Sequence, residues 1–185
     1  MPTYISLLRG VNVSGQKPLK STDLAKTYLA LGFSNARTYI QSGNVVFKSE
    51  RGNVEDIRNL IESGIRRDFA IDVPVILRSL TEFRKIVKRN PFLRQKNVDQ
   101  SKLHVTFLSS HPKKQALHNL TVKTKREEAY KLIGREIYLY CPYGYAKTKL
   151  TNNVFEAKLN VLTTTRNWRT VCKLLALAES VESEG

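Results

Sequence analysis

Cysteine is nearly absent from this 185-residue chain, which holds only Cys141 and Cys172. Two thiols give neither the density of a disulfide scaffold nor the paired spacing of a zinc site, so a reducing, cytoplasmic setting is expected. Both read as small core residues. No stretch approaches the roughly 20 apolar residues that span a bilayer. Met1-Pro2-Thr3-Tyr4 enters a strand at once, without the basic and apolar segments of a secretory leader, so no membrane association is expected. Histidine is scarce as well. His104, His111 and His118 fall in a strand, in a loop before Pro112 and in a helix, so they share no face and no metal is expected. No G-x-S-x-G elbow occurs and no motif ties a Ser or Cys to a His, which leaves no nucleophilic triad. No cofactor motif is complete either. Gly10 to Lys17 approaches the spacing of a phosphate-binding P-loop, but Gln16 stands where the lysine must reach the phosphates and Pro18 where a hydroxyl would hold magnesium.

Acidic residues are also few: 16 Asp and Glu stand against 31 Lys and Arg, a formal net charge of +15. The imbalance is local. Between Arg78 and Arg126, 13 basic residues face only Glu82 and Asp99, so this stretch alone carries +11. A field of that sign attracts polyanions. The 41% of hydrophobic residues suffices for a core without covalent staples.

The order of elements follows from periodicity. A strand over Thr3 to Val11 leads through a turn-prone loop to a helix from Ser21 or Thr22. Leu24, Tyr28 and Leu31 line one face of it and Gly32 ends it. Strands at 36–41 and 44–48 flank Ser42-Gly43, where glycine supplies the positive φ of a hairpin. A helix over 54–69 carries Val54, Ile57, Ile61 and Ile65 on one side, and a strand at 73–77 completes a βαββαβ order. A further helix from Ser79 has Leu80, Phe83, Ile86 and Val87 on one face and Arg84, Lys85, Lys88 and Arg89 on the other, and it ends before Pro91. The order then repeats: strand 103–108, helix 113–120, strands 129–133 and 136–141 around Gly134. Comparing YISLLRG with LHVTFLSS, and TYIQSGNVVF with AYKLIGREIYLY, predicts an approximate duplication of a βαββ unit. The last part reads as helices at 154–159 and 167–178, with Trp168, Val171, Cys172 and Leu175 on one face and an acidic tail, Glu179 to Gly185, that should fray. The expected fold class is α+β, with two ferredoxin-like lobes and a helical C-terminal segment. Residues 1–78 form the first lobe, 79–101 a basic connection and 102–185 the second lobe.

Candidate ligand groups sit at strand ends. Arg9, Lys17 and Lys20 flank a loop whose glycines can expose backbone N–H groups to an anion. Thr151, and Thr165 or Asn167, can cap helices, while Lys149 and Arg166 beside them could clamp a phosphate. The third strand, Asn44 to Lys48, lacks the aromatic pair on which single-stranded bases stack in an RNA-recognition sheet.

At LLRGVNV (Leu7 to Val13), TYIQSGNVVF (Thr38 to Phe47) and TTTRNWRTV (Thr163 to Val171) the chain resembles the DUF1697 family of bacterial proteins. The resemblance implies a soluble bacterial α+β protein and brings no established activity. It places the family's motif positions at Arg9, Gly10, Asn12, Gln41, Ser42, Gly43, Asn44, Arg166, Asn167 and Trp168. Where the family commonly shows paired glycines after Asn-Val, this chain has Ser14-Gly15.

The expected function is binding of an anionic ligand, a nucleotide-like molecule or a nucleic acid backbone. Arg9, Asn12, Lys17, Gln41, Ser42, Asn44, Arg166 and Asn167, together with the basic middle segment, are the candidate ligand contacts. One alternative is a small-molecule enzyme acting on a phosphorylated or carboxylated substrate between the lobes, with Arg9, Gln41, Ser42, Asn44 and Arg166 orienting it. Another is a protein-interaction module pairing through an edge strand.

Overall fold

The structure, a computed structural model, describes residues 1–11, 19–40, 43–118 and 120–184. They divide into two compact units, 1–85 with 173–185 and 86–172. The divisions fall inside helices, so the basic helix expected to connect the lobes does not stand apart from them, and the C-terminal helix contributes residues to both units.

In the first unit the order is β1 (Thr3–Leu8), α1 (Ser21–Ala30), β2 (Ser34–Thr38), β3 (Asn44–Lys48), α2 (Val54–Phe69), β4 (Val75–Ser79) and the start of α3 (Leu80–Lys88). The strands form one antiparallel sheet in the order β2-β3-β1-β4, which is the ferredoxin-like arrangement. Tyr4, Tyr28, Phe33 and Phe47 make its aromatic centre, with Phe33 and Phe47 ring centroids 4.6 Å apart. The Ser6 and Tyr28 hydroxyls meet at 2.7 Å inside this core, which satisfies two polar groups that would otherwise be costly to bury. Helix α2 carries end signals that favour a helix. The Asn53 side chain accepts from the Glu55 N–H at 2.9 Å, acids stand in the first turn and Arg66 and Arg67 in the last.

The second unit contains β5 (Leu103–Leu108), α4 (Lys114–His118), β6 (Ala129–Ile133), β7 (Glu136–Tyr140), α5 (Asn152–Leu159), β8 (Thr163–Asn167) and the start of α6 (Trp168–Ser183). Its sheet has the order β6-β7-β5-β8, the same as the first. The duplication is therefore complete, βαββαβα in both halves. The sequence reading of a wholly helical C-terminal part is corrected here, because Thr163–Asn167 is a strand paired with β5. Thr165 caps no helix. Its hydroxyl meets Thr106 Oγ1 and donates to Asn152 Oδ1, both at 2.7 Å. Leu108, Ile137, Leu139, Phe155 and Leu159 lie in the core between this sheet and its helices.

Two further expectations are overturned. Cys141 is buried, but Cys172 is exposed. The buried stripe of α6 runs through Trp168, Val171, Leu174, Ala178 and Val181, which leaves Cys172 outside it. Most of the acidic tail, 179–183, is helical where fraying is expected. Helix α6 continues to Ser183, Val181 is fully buried, and Arg84 pairs with Glu179 at 3.1 Å and Glu182 at 2.7 Å. No described helix is long and apolar enough to cross a membrane.

Candidate functional site

The end of β1 is held from both sides. Leu8 N–H donates to Gly43 O at 2.8 Å and Arg9 N–H to Pro74 O at 2.9 Å, so the chain leaves the sheet wedged between the starts of β3 and β4. Gly10 follows with φ of +74° and Gly43 sits opposite with φ of +68°, conformations that side chains resist. Arg9, Gly43 and Asn44 are thus gathered at one end of the first sheet. The Asn44 side chain is fully buried and its Nδ2 donates to Tyr39 O at 3.1 Å. That duty is structural. Asn12, Lys17, Gln41 and Ser42 lie outside the described residues.

Arg166 and Asn167 belong to the second unit. The Asn167 carboxamide oxygen accepts from Thr170 N–H at 2.8 Å and caps α6. Arg166 is 8% exposed, and its Nη1 donates to Thr164 Oγ1 at 2.8 Å and Thr165 O at 3.0 Å. Thr151, as its position suggests, caps α5 by accepting from Val154 N–H.

The duplication shows what the sequence reading missed. Arg166 pairs with Val105 of β5 as Arg78 pairs with Ile5 of β1, so the two arginines occupy equivalent places in the two sheets. Arg78 is 2% exposed, and it too donates from Nη1 to the preceding carbonyl, Leu77 O, at 2.8 Å. In β4, Val75 and Leu77 point into the helix-side core, so Arg78 lies on the other face. Asn167 matches Ser79 in the same way, and both cap the following helix. VILRSLTEF (75–83) laid on TTTRNWRTV (163–171) contains this signal, hidden because the second segment was not read as a strand.

Electrostatically the halves differ. Residues 86–172 hold 17 Lys and Arg against 5 Asp and Glu, a net +12, whereas the first unit's 14 against 11 leave +3. First-unit charges also engage one another, as in Arg58 with Glu55, Arg67 with Asp68 and Arg84 with Glu179 and Glu182. In the second unit Lys88, Arg94, Lys96, Lys123, Arg126 and Lys149 are all exposed. A cluster near the middle of this charge joins two loops. Lys125 Nζ donates to Lys147 O at 2.7 Å and lies 5.7 Å from the centre of the exposed Tyr143 ring.

Neither thiol is set up as a nucleophile. Burial pushes the Cys141 thiol up to about 11, a hydrogen bond with Thr148 only partly offsetting it, and burial also raises the Cys172 thiol. His104 stacks on Tyr145 at 4.8 Å, and burial lowers its pKa below the ordinary value. Among the described residues no three of His, Cys, Asp and Glu gather where they could hold a metal ion.

Comparison with known proteins adds the following. A family model described as "Protein of unknown function (DUF1697)" matches residues 1–138. The solved structure of the conserved bacterial protein SP0830 from Streptococcus pneumoniae superposes with a TM-score of 0.76 at 21% identity, covering 96% of this chain and 98% of that one. At that identity the likeness concerns the fold. No curated protein matches the chain.

Proposed function

The chain belongs to the DUF1697 family, and from that premise we propose that it is a binding protein for an anionic ligand, engaging a nucleic acid backbone through its second unit. The observation that carries this reading is the division of charge, +12 on residues 86–172 against +3 on the rest. The two halves share one fold, so the architecture does not require the difference. Exposed cations on an antiparallel α+β scaffold supply the phosphate contacts that dominate non-specific affinity for nucleic acid. Tyr143 beside Lys125 offers a ring face next to an ammonium group, a combination that suits unpaired bases. In the first unit the same reading assigns Arg9, which follows β1, and Lys17, which lies outside the described residues, as anion contacts.

The test is anisotropy of a labelled single-stranded oligonucleotide against the full chain at several salt concentrations. The logarithm of affinity should fall linearly with the logarithm of salt, with a slope of roughly 0.7 per phosphate neutralised. The variant Lys123→Glu/Arg126→Glu should weaken binding and flatten that slope by about 1 or more, while Lys26→Glu/Arg51→Glu in the first unit should have much less effect. Affinity indifferent to salt, or equal loss from both pairs, would reject the reading.

A further inference from the structure

A cavity of about 310 Å³ lies within the second unit, where β5 ends. Its position follows from the chain path. Ser109 N–H donates to Leu162 O at 2.9 Å, which draws the β5–α4 connection against the α5–β8 connection. Asn160, with φ of +53°, turns the chain out of α5 at that point. This is the counterpart of the Arg9–Gly10 strand end in the first unit, since Arg9 N–H makes the equivalent bond to Pro74 O.

The lining sorts into two kinds of group. Lys113 and His111 from one connection and Lys158 from the last turn of α5 bring cationic or hydrogen-bonding ends, while Ala116, Leu159 and Val161 give apolar surface. No carboxylate lines the cavity, and among the described residues neither Lys113 Nζ nor Lys158 Nζ takes part in an ion pair or hydrogen bond. A depression on the first unit makes the contrast. It presents Lys26 and Arg67, but Asp23 and Asp68 line it too and pair with them at 3.5 and 2.7 Å, so that site neutralises itself. Two ammonium groups beside one concavity repel each other unless an anion stands between them. The volume is at the lower end of the range for small-molecule sites, roughly 300 to 1,000 Å³.

We propose that this cavity binds a small phosphate monoester, its phosphate between Lys113 and Lys158 and its apolar body against Ala116, Leu159 and Val161. A dianion matches two cations where a carboxylate would leave one uncompensated. The apolar wall selects an ester over the bare ion. This site does not rest on the nucleic acid reading, because a pocketed ester needs no extended charged surface.

The experiment is amide shift mapping of the full chain with phenyl phosphate, inorganic phosphate and benzoate at about 0.15 M salt, where long-range attraction is screened. Phenyl phosphate should shift the amides of 109–116 and 158–161 saturably, with inorganic phosphate and benzoate weaker at the same positions. Lys113→Ala/Lys158→Ala replaces two exposed side chains and should lower phenyl phosphate affinity tenfold or more, whereas Lys26→Ala/Arg51→Ala in the first unit should leave it unchanged. Benzoate binding as tightly as phenyl phosphate would overturn the choice of phosphate. Shifts scattered over the surface, no shifts, or equal affinity in the two variants would overturn the site. Oligonucleotide binding that persists in those cases would leave the nucleic acid reading standing, and its loss with phenyl phosphate binding intact would remove that reading alone.

Discussion

A Cβ at Gly43 would meet Val11 Cγ2 at 2.4 Å and Leu8 Cβ at 2.7 Å, and the backbone there already has φ of +68°. Gly32 shares the positive φ, +84°, but has nothing within 4 Å of the added atom. The pair separates two effects. Gly32→Ala should cost about 1 to 2 kcal/mol from the left-handed conformation alone, and Gly43→Ala about 2 to 5 kcal/mol once overpacking against Leu8 and Val11 is added. Urea unfolding midpoints measure both, and equal losses would show that the β1 end relaxes freely. At this scale the sequence was informative about residue type and only partly about duty. Asn167 caps a helix, one of the two cap positions the sequence offered, whereas Asn44, marked as a ligand contact at a strand end, donates its carboxamide to Tyr39 O instead, satisfying a backbone carbonyl.

Elements with strong periodicity were legible. Asn44–Lys48, Val54–Phe69, Leu103–Leu108 and Ala129–Ile133 lie where alternation or an i, i+4 stripe put them. Thr163–Asn167 was not legible, since three threonines in a row serve a cap as well as a strand, and its partner β5 lies some sixty residues earlier in the chain. The acidic end was misread for a related reason. Glu179 and Glu182 look solvated until Arg84, nearly a hundred residues away, is set beside them. Deletion of 179–185 removes those half-exposed pairs, which solvent largely screens, and the buried Val181 side chain, worth about 1.5 to 3 kcal/mol. A loss of about 1.5 to 3 kcal/mol in urea unfolding is therefore expected. A neutral truncation would mean that the tail contributes nothing to the first unit.

For the whole molecule, three buried protons link stability to alkaline pH. Burial raises Tyr28 well above the usual tyrosine range despite its bond to Ser6, and burial followed by the Glu136 charge does the same for Tyr138, whose hydroxyl donates to Ile86 O at 2.8 Å. Cys141 is pushed up to about 11. The unfolded chain releases these protons at their ordinary values, about 8.5 for Cys and 10 for Tyr, so above those values the native state holds protons that the unfolded state has lost. Stability is then fully present below about pH 8.5 and declines as pH rises, by up to about 1.4 kcal/mol per pH unit for each group. Urea midpoints from pH 8 to 11 should fall, and Tyr28→Phe should shallow the fall above about pH 10. A flat profile would contradict the burial of these groups. The excess of positive charge, +12 of it on one unit, acts at the same scale as a field and not as a fold determinant.

The sequence by itself determined the α+β class, the repeated βαββ order, the helix caps at Thr151 and Asn167 and the sign of the charge, because each depends on neighbours within a few residues or on composition alone. Tertiary structure decided that β8 completes the second sheet, that Arg78 and Arg166 are equivalent and buried, that the acidic tail meets Arg84, and that Lys113 and Lys158 share a cavity. Each of those pairings joins residues far apart in the chain, and only the sheet register and the packing of connections against one another bring them within reach.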